Sequence, residues 1–508
     1  MGVTDGLGRA NLRSILMMAL AGALVRWAFG LAEMPWVDSP DQLAWGLLLE
    51  EARDGPLRVD QLVHYPHEGA SALVGLLAWL LPSRVVGLPA LSAATLIVDT
   101  VGRVVQIAVV HRVFGSTVGT WFGWWTVVAV PGLLPWATAS FGLHGLAAFW
   151  PFVLMALAAR REGMQPVATG LVLGLAVAWA LDSLVVLAAA VTFVFTAAPQ
   201  GRRLRATVPV VLAAVAVLVP WWLLWTQLDV GFQLEKLGPL SVRGTSPSVV
   251  DLLWAPLRLL AVPIVVIPGA TWLPTVGGPL GTYALRLAWT VACGMGAGLV
   301  LSRRAAPAAM VGVLALLWFF MAYAASPFYA ASPLSGDYVA YRHLAFVLPL
   351  LVALAWRGVA DAARWRRGFA VTLLGFGVLG ALGQVVQSQD EPAVPPMRAA
   401  GWVLGRKLGH DVPRLSRLAA SMSDDDRAEL ERGFAWGLTA TVLGRGSVRG
   451  EESLLELEEL FKKFPASVRP GLVRGVADAF DPRATPRLEP ALHDALRARL
   501  GLEVGPAR

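Results

Sequence analysis

The chain has 508 residues, of which 56% are hydrophobic and only 15% charged, where a soluble domain carries about a quarter charged. That balance excludes an ordinary soluble globular protein. The net charge of +7 lies outside the C-terminal segment, because the last 121 residues hold 18 basic and 18 acidic groups, so the excess reads as membrane topology and not as a nucleic-acid surface.

Apolar runs of the roughly 20 residues that cross a bilayer recur from Leu12 to Val386. Tryptophans stand at many of their ends, as in Trp121-Trp124-Trp125 and Trp221-Trp222-Trp225. An unpaired peptide group in lipid costs several kcal/mol, so these runs are expected to be helices. The expected fold class is all-α: a polytopic membrane protein of about eleven transmembrane helices, a large first outer loop with interfacial helices, and a small C-terminal helical soluble domain. The single cysteine, Cys293, excludes disulfides and cysteine-based metal sites within one chain.

The first apolar run passes directly into Arg26 and Trp27 without a clear cleavage site, and is expected to be a retained span. Arg9 and Arg13 before it place the N-terminus in the cytoplasm and residues 33–69 outside. Eight of the 35 acidic residues crowd into this loop: Glu33, Asp38, Asp41, Glu50, Glu51, Asp54, Asp60 and Glu68. The run from Ala70 to Leu81 is short for a span and ends at Pro82, which suggests an interfacial helix. A span from about Val86 to His111-Arg112 follows. Basic clusters at Arg160-Arg161, Arg202-Arg203-Arg205, Arg303-Arg304 and from Arg357 to Arg367 then mark successive inner ends. An odd number of spans puts the C-terminal domain outside with the acidic loop. The expected domains are 1–387, carrying the loop 33–69, and 388–508.

A linker at Gln389-Asp390-Glu391-Pro392 and Pro395-Pro396 leads into amphipathic patterns at Asp424 to Leu443 and Glu451 to Phe464, with Asp424 and Ser453 as candidate caps. Arg432-Gly433-Phe434-Ala435 recurs as Arg474-Gly475-Val476-Ala477, which is thin evidence for a helical repeat. This domain reads as a small helical unit or as an external docking surface for a protein partner or a polymer.

Candidate chemistry begins at Asp38, just beyond the first span, where a carboxylate can accept a proton from an incoming hydroxyl. A helix starting at Ser39 or Pro40 puts Asp41 on the same face, and Asp38 or Ser39 then also serves as its cap. His64, Tyr65, Pro66, His67 and Glu68 form a second polar knot that could bind a divalent metal or a phosphate, although no recognised metal spacing is present and no cofactor is assigned. Arg26 and Arg103 lie within apolar runs, where a charged group normally faces a polar interior. Asp99 precedes Arg103 by four residues, so those two pair within one helix, whereas Arg26 has no local partner and either snorkels or faces a cavity. Asp182 and His144 read as structural. Tyr341, Arg342 and His343 gather before another span, where Arg342 suits a phosphate.

Arg26 in the first span, Asp38 in the first outer loop, Tyr65-Pro66 before a short interfacial helix, and Tyr341-Arg342 running into Leu348-Pro349 together resemble the GT-C superfamily of membrane glycosyltransferases. The likeness covers about residues 10 to 387 and is closest to the bacterial branch related to protein mannosyltransferases and the aminoarabinose transferase of lipid A. It implies a polyprenyl-phosphate sugar as donor, Asp38 as base, and Arg342 with Tyr341 and His343 at the donor phosphate. The chain departs from the pattern where Ser39-Pro40 separates Asp38 from Asp41, where His144 follows Ser140-Phe141-Gly142-Leu143, and where Asp182 stands in place of a lysine near the fifth span.

The expected function is therefore transfer of a sugar from a lipid-phosphate carrier to an acceptor of unknown identity. The active site would lie at the periplasmic face of a bacterial inner membrane, with Arg26, Asp41, His64, Tyr65 and His67 also lining the substrate. Membrane lipid is the other expected partner, and nucleic acid is not one. The rival readings are a transporter or flippase of a lipid-linked precursor, and a noncatalytic assembly protein. A transporter would often show two related halves, and no such internal symmetry is visible.

Overall fold

The computed structural model describes residues 9–31, 40–62, 69–128, 144–160, 164–227, 307–324, 346–360, 395–408, 411–420, 422–444 and 459. Of this part, 88% is helical, which places the chain in the all-α class. The Cα packing divides it into two compact units, residues 1–37 with 62–389 and residues 38–61 with 390–508. Residues Ala44 and Leu48, within the expected first outer loop, share a buried core with residues of the C-terminal segment.

The first unit opens with α1 (Arg9–Leu31), continues through α4 (Gly69–Leu80), and enters α5 (Ala90–Phe114) by a two-residue hairpin, β1 (Arg84–Val85) against β2 (Leu88–Pro89). Pro82 ends α4 as its missing N–H demands. The hairpin turn holds Val86 at φ 48° and Gly87 at φ 89°. Two-residue turns of this hand need positive φ at both positions, which a β-branched valine adopts only under strain. Trp27 pins the turn by donating its indole N–H to the Val86 carbonyl at 3.0 Å. Next come α6 (Ser116–Val128), α7 (His144–Ala147), α8 (Trp150–Ala158), α9 (Pro166–Trp179), α10 (Leu184–Ala197), α11 (Arg203–Gln227), α12 (Pro307–Ala324) and α13 (Leu348–Ala360).

The core of this unit runs through α1, α5, α6, α8, α10, α12 and α13, with Ile15, Ile107, Phe122, Phe152, Val311 and Leu350 fully buried. Trp125 is buried inside it and Trp121 meets Trp356 edge to face at 5.2 Å, so these tryptophans work as core residues and not as the end markers expected of them. Gly170 and Gly174 let α9 approach α11 closely, since a Cβ at Gly174 would stand 2.9 Å from the Ala214 carbonyl. Away from the core, Leu12, Leu16, Leu20 and Leu24 form an exposed ridge on α1, and Val208, Leu212, Val215, Val219 and Leu223 form one on α11. Ridges of that size call for an apolar neighbour. Among the described residues, Ala90–Phe114 and Gln200–Trp225 are long and apolar enough to cross a membrane.

The second unit combines α2 (Pro40–Asp54) and the single turn α3 (Val59–Leu62) with α14 (Pro396–Leu408), α15 (Val412–Ala419) and α16 (Asp424–Gly444). Helix α2 begins at Pro40, whose fixed φ and absent N–H suit a first helical position. Pro396, expected in the linker, does the same for α14. The cap of α16 is Ser423 and not Asp424: Ser423 Oγ accepts from the Asp426 N–H at 3.2 Å and donates to the Asp426 carboxylate at 2.8 Å. Asp424 is instead the first helical residue.

Helices α14 and α16 press together through two glycine pairs. A Cβ at Gly401 or Gly405 would overlap the carbonyls of Leu430 or Phe434, and one at Gly433 or Gly437 those of Arg398 or Trp402. Arg398 grips Glu429 through both ends of its guanidinium, at 2.5 and 2.9 Å. The second helical pattern, Glu451 to Phe464, and the second copy of the faint repeat lie outside the described residues apart from Glu459.

Candidate functional site

Helix α5 carries a polar row through an otherwise apolar sequence. Ser92, Thr95, Asp99, Arg103 and Gln106 recur at helical spacing, so they share one face, and each is buried. The row extends over about 21 Å at 1.5 Å per residue. Thr95 satisfies its hydroxyl locally by donating to the Leu91 carbonyl at 2.9 Å. The charged members have no such easy solution.

Asp99 lies between two arginines. Arg103, one turn further along α5, reaches it with Nη2 at 3.2 Å, as the spacing predicted. Arg26 of α1 brings Nε to within 3.3 Å of the other carboxylate oxygen and donates from Nη1 to the Thr126 carbonyl of α6, also at 3.3 Å. Snorkelling of Arg26 is thereby overturned: the residue is 1% exposed and its partner comes from a different helix. Gly22 leaves room beside it, since a Cβ there would sit 3.3 Å from both Nη atoms of Arg26.

Among the described residues, the group holds two positive charges and one negative charge, all of them buried. Each ion costs several kcal/mol to desolvate, and one carboxylate cannot repay two guanidinium groups. Hydrogen bonding is incomplete as well: among the described residues, Arg26 Nη2, Arg103 Nη1 and the Gln106 side-chain oxygen have no hydrogen-bond partner. An unmatched positive charge with forked donors in an apolar bundle is the electrostatic counterpart of a phosphate or carboxylate.

Of the other expected site residues, Asp38, His64, Tyr65, His67, Tyr341, Arg342 and His343 lie outside the described residues. Asp41 is described only as a backbone position in the first turn of α2, and His144 only as the first residue of α7. Asp182 sits half-buried in a short 3-10 turn between α9 and α10. No group of three His, Cys, Asp or Glu residues that could hold a metal occurs among the described residues. Sequence reasoning found Asp99 and Arg103 as a pair but missed Ser92, Thr95 and Gln106. Their spacing of three and four along a span was the available signal.

Comparison of the chain with models of known families, with curated proteins and with solved structures gave no match.

Proposed function

We propose that the chain is a polytopic membrane glycosyltransferase of GT-C type that moves a sugar from a polyprenyl-phosphate carrier to an acceptor at the periplasmic face. The observation that carries this reading is the buried Arg26–Asp99–Arg103 group with its excess of positive charge and open N–H donors. Charged residues retained inside an apolar bundle are costly, and their usual return is a ligand or a pathway. A lipid-linked phosphate has the matching charge.

Topology supports the same reading. The exposed leucine and valine ridges suit lipid. Helix α2 of the first loop and α14 after the last apolar run pack in one core, which requires an even number of crossings between them. Adding the first span gives an odd total, in keeping with the proposal of about eleven spans. With Arg9 and Arg13 before the first span keeping the N-terminus cytoplasmic, the proposed topology leaves the loop and C-terminal unit periplasmic.

In the proposed reaction the Asp38 carboxylate takes the proton of the acceptor hydroxyl as its oxygen forms a bond to the anomeric carbon. The bond from that carbon to the phosphate oxygen breaks, its electron pair leaves with polyprenyl phosphate, and Arg342 stabilises the departing dianion. Tyr341, His343, Asp41, His64, Tyr65 and His67 complete the proposed substrate contacts.

A second reading, transport of a lipid-linked precursor, draws on the length of the α5 polar row, which suits the passage of a headgroup. The two are separated with the full-length protein in liposomes supplied with a set of radiolabelled polyprenyl-phosphate sugars. Glycosyl transfer predicts that label leaves the lipid and free polyprenyl phosphate accumulates. Label that crosses the bilayer still attached to lipid would establish transport instead.

A further inference from the structure

Helix α11 presents one apolar face almost from end to end. Leu204, Val208, Leu212, Val215, Val219 and Leu223 recur at steps of three and four, so they share a face, and each is exposed. The buried side, at Val210, Ala213 and Ala214, is the one that meets α9. From Leu204 to Leu223 the ridge runs about 28 Å at about 1.5 Å per residue. That is close to the roughly 30 Å of a bilayer's hydrocarbon core. Of the two helices long and apolar enough to cross a membrane among the described residues, this one is the less covered by protein, with 28% of its apolar stretch buried against 61% for α5. Lipid is the neighbour that such a face fits.

Arginines close one end of the ridge. Helix α10 ends at Ala197, and Pro199 leads into a 3-10 turn, Gln200–Arg202, in which the Arg202 N–H donates to the Pro199 carbonyl at 2.8 Å before α11 begins. Arg202 and Arg205 are exposed, and so is Leu204 between Arg203 and Arg205, at 71%. The Arg203 guanidinium lies 5.2 Å from the centre of the Phe195 ring on α10, and that ring is itself exposed. Among the described residues no carboxylate pairs with Arg202, Arg203 or Arg205, and Arg203 Nε is buried without a hydrogen-bond partner. Three positive charges thus stand together with donors to spare.

At the end of a lipid-facing ridge, these arginines lie at the level of the headgroup phosphates. A guanidinium offers phosphate a forked pair of donors, and the ring beneath Arg203 holds one such fork in place. Leu204 and Phe195 suit the adjoining acyl region. A zwitterionic headgroup brings a cation of its own to the turn, whereas an anionic one brings net negative charge.

We infer that the turn between α10 and α11 is a binding site for an anionic phospholipid, whose phosphate is held by Arg202, Arg203 and Arg205. The inference rests on the membrane part of the reading above and not on glycosyl transfer. By the proposed topology the lipid belongs to the inner leaflet.

The test uses the full-length protein in phosphatidylcholine liposomes. A Cys293→Ser background removes the only native thiol, so a fluorophore on Gln200→Cys reports from the turn alone. Its quenching is compared between phosphatidylglycerol carrying a nitroxide near the head of the acyl chain and phosphatidylcholine carrying the same nitroxide. The anionic lipid should be favoured about tenfold, given that a basic residue near an anionic surface contributes on the order of fivefold or less. Replacing Arg202, Arg203 and Arg205 together with glutamine should bring the preference to about one. Arg205→Gln alone, which leaves most of the topology signal in place, should lower it about threefold. Arg203→Lys keeps the charge but loses the fork, and Phe195→Ala removes the ring beneath it, so each should also lower the preference about threefold.

A preference near one in the parent, or one that survives the triple replacement, overturns the inference. A preference that falls in Arg205→Gln but holds in both Arg203→Lys and Phe195→Ala reports diffuse surface charge in place of a built site, and overturns it as well. Quenching by neither lipid puts the turn outside the bilayer and overturns the inference together with the membrane reading. A protein that shows the preference but transfers no sugar from any donor keeps the lipid site and loses glycosyl transfer alone.

Discussion

Each of the two units places a carboxylate between two arginines, and they treat the surplus charge differently. In the C-terminal unit Glu51 meets Arg414 and Arg417, but the Arg417 side chain is 56% exposed and the Gln61 amide completes the carboxylate. Water takes up the extra charge there. In the first unit the side chains of Arg26, Asp99 and Arg103 are at most 3% exposed, and donors remain open among the described residues. The same three-charge motif is thus a fastening where water reaches it and a candidate anion site where it does not.

Asp99→Asn should give the largest effect. It leaves two buried guanidinium groups facing each other, and a broken buried pair costs about 3–5 kcal/mol, so thermal or denaturant unfolding in detergent should show a severe loss. Replacing all three residues with apolar ones, Arg26→Met, Asp99→Leu and Arg103→Met, sharpens the comparison. On the proposed function, stability should return while affinity for polyprenyl phosphate is lost. Recovery of both would make it purely structural.

In the second unit the expected losses are smaller and local. Gly433→Val drives a side chain into the Arg398 carbonyl and should cost about 1–3 kcal/mol, read as greater hydrogen exchange in α14 and α16 with the first unit unaffected. Ser423→Ala removes the cap of α16, at about 1 kcal/mol.

The smallest effect concerns pH. Burial raises the pKa of Glu431 above the usual carboxylate range, an effect that Arg427 partly offsets. The folded unit then holds this proton more tightly than the unfolded chain. Its contribution is fully present below the ordinary glutamate pKa and is lost as pH rises through the folded value. Glu431→Gln should therefore leave stability near pH 4 almost unchanged, raise it modestly at pH 7.5, and flatten the profile between them.

Local chemistry was legible in the sequence. The helical class, the start of α2 at Pro40, the short α4 before Pro82 and the Asp99–Arg103 pair each follow from neighbours within a turn or two. Contacts between distant segments were not: nothing near Arg26 points to Asp99, and Glu51 reaches Arg414 across 363 residues. The packing of Ala44 and Leu48 against the C-terminal helices has the same cause, since an amphipathic helix shows which face it buries and not what covers it. Two signals were present and unread: the polar row of α5, and the paired glycines four apart at 401 and 405 and at 433 and 437. The donor-side residues Tyr341, Arg342 and His343, like Asp38, stand on resemblance and chemistry alone.

The most direct test of the central claim is single-turnover transfer from a radiolabelled polyprenyl-phosphate sugar, comparing the parent protein with Asp38→Asn. Loss of a general base should lower the rate constant by about 10²–10⁴-fold while donor binding persists. Transfer at the parent rate in Asp38→Asn would contradict the account.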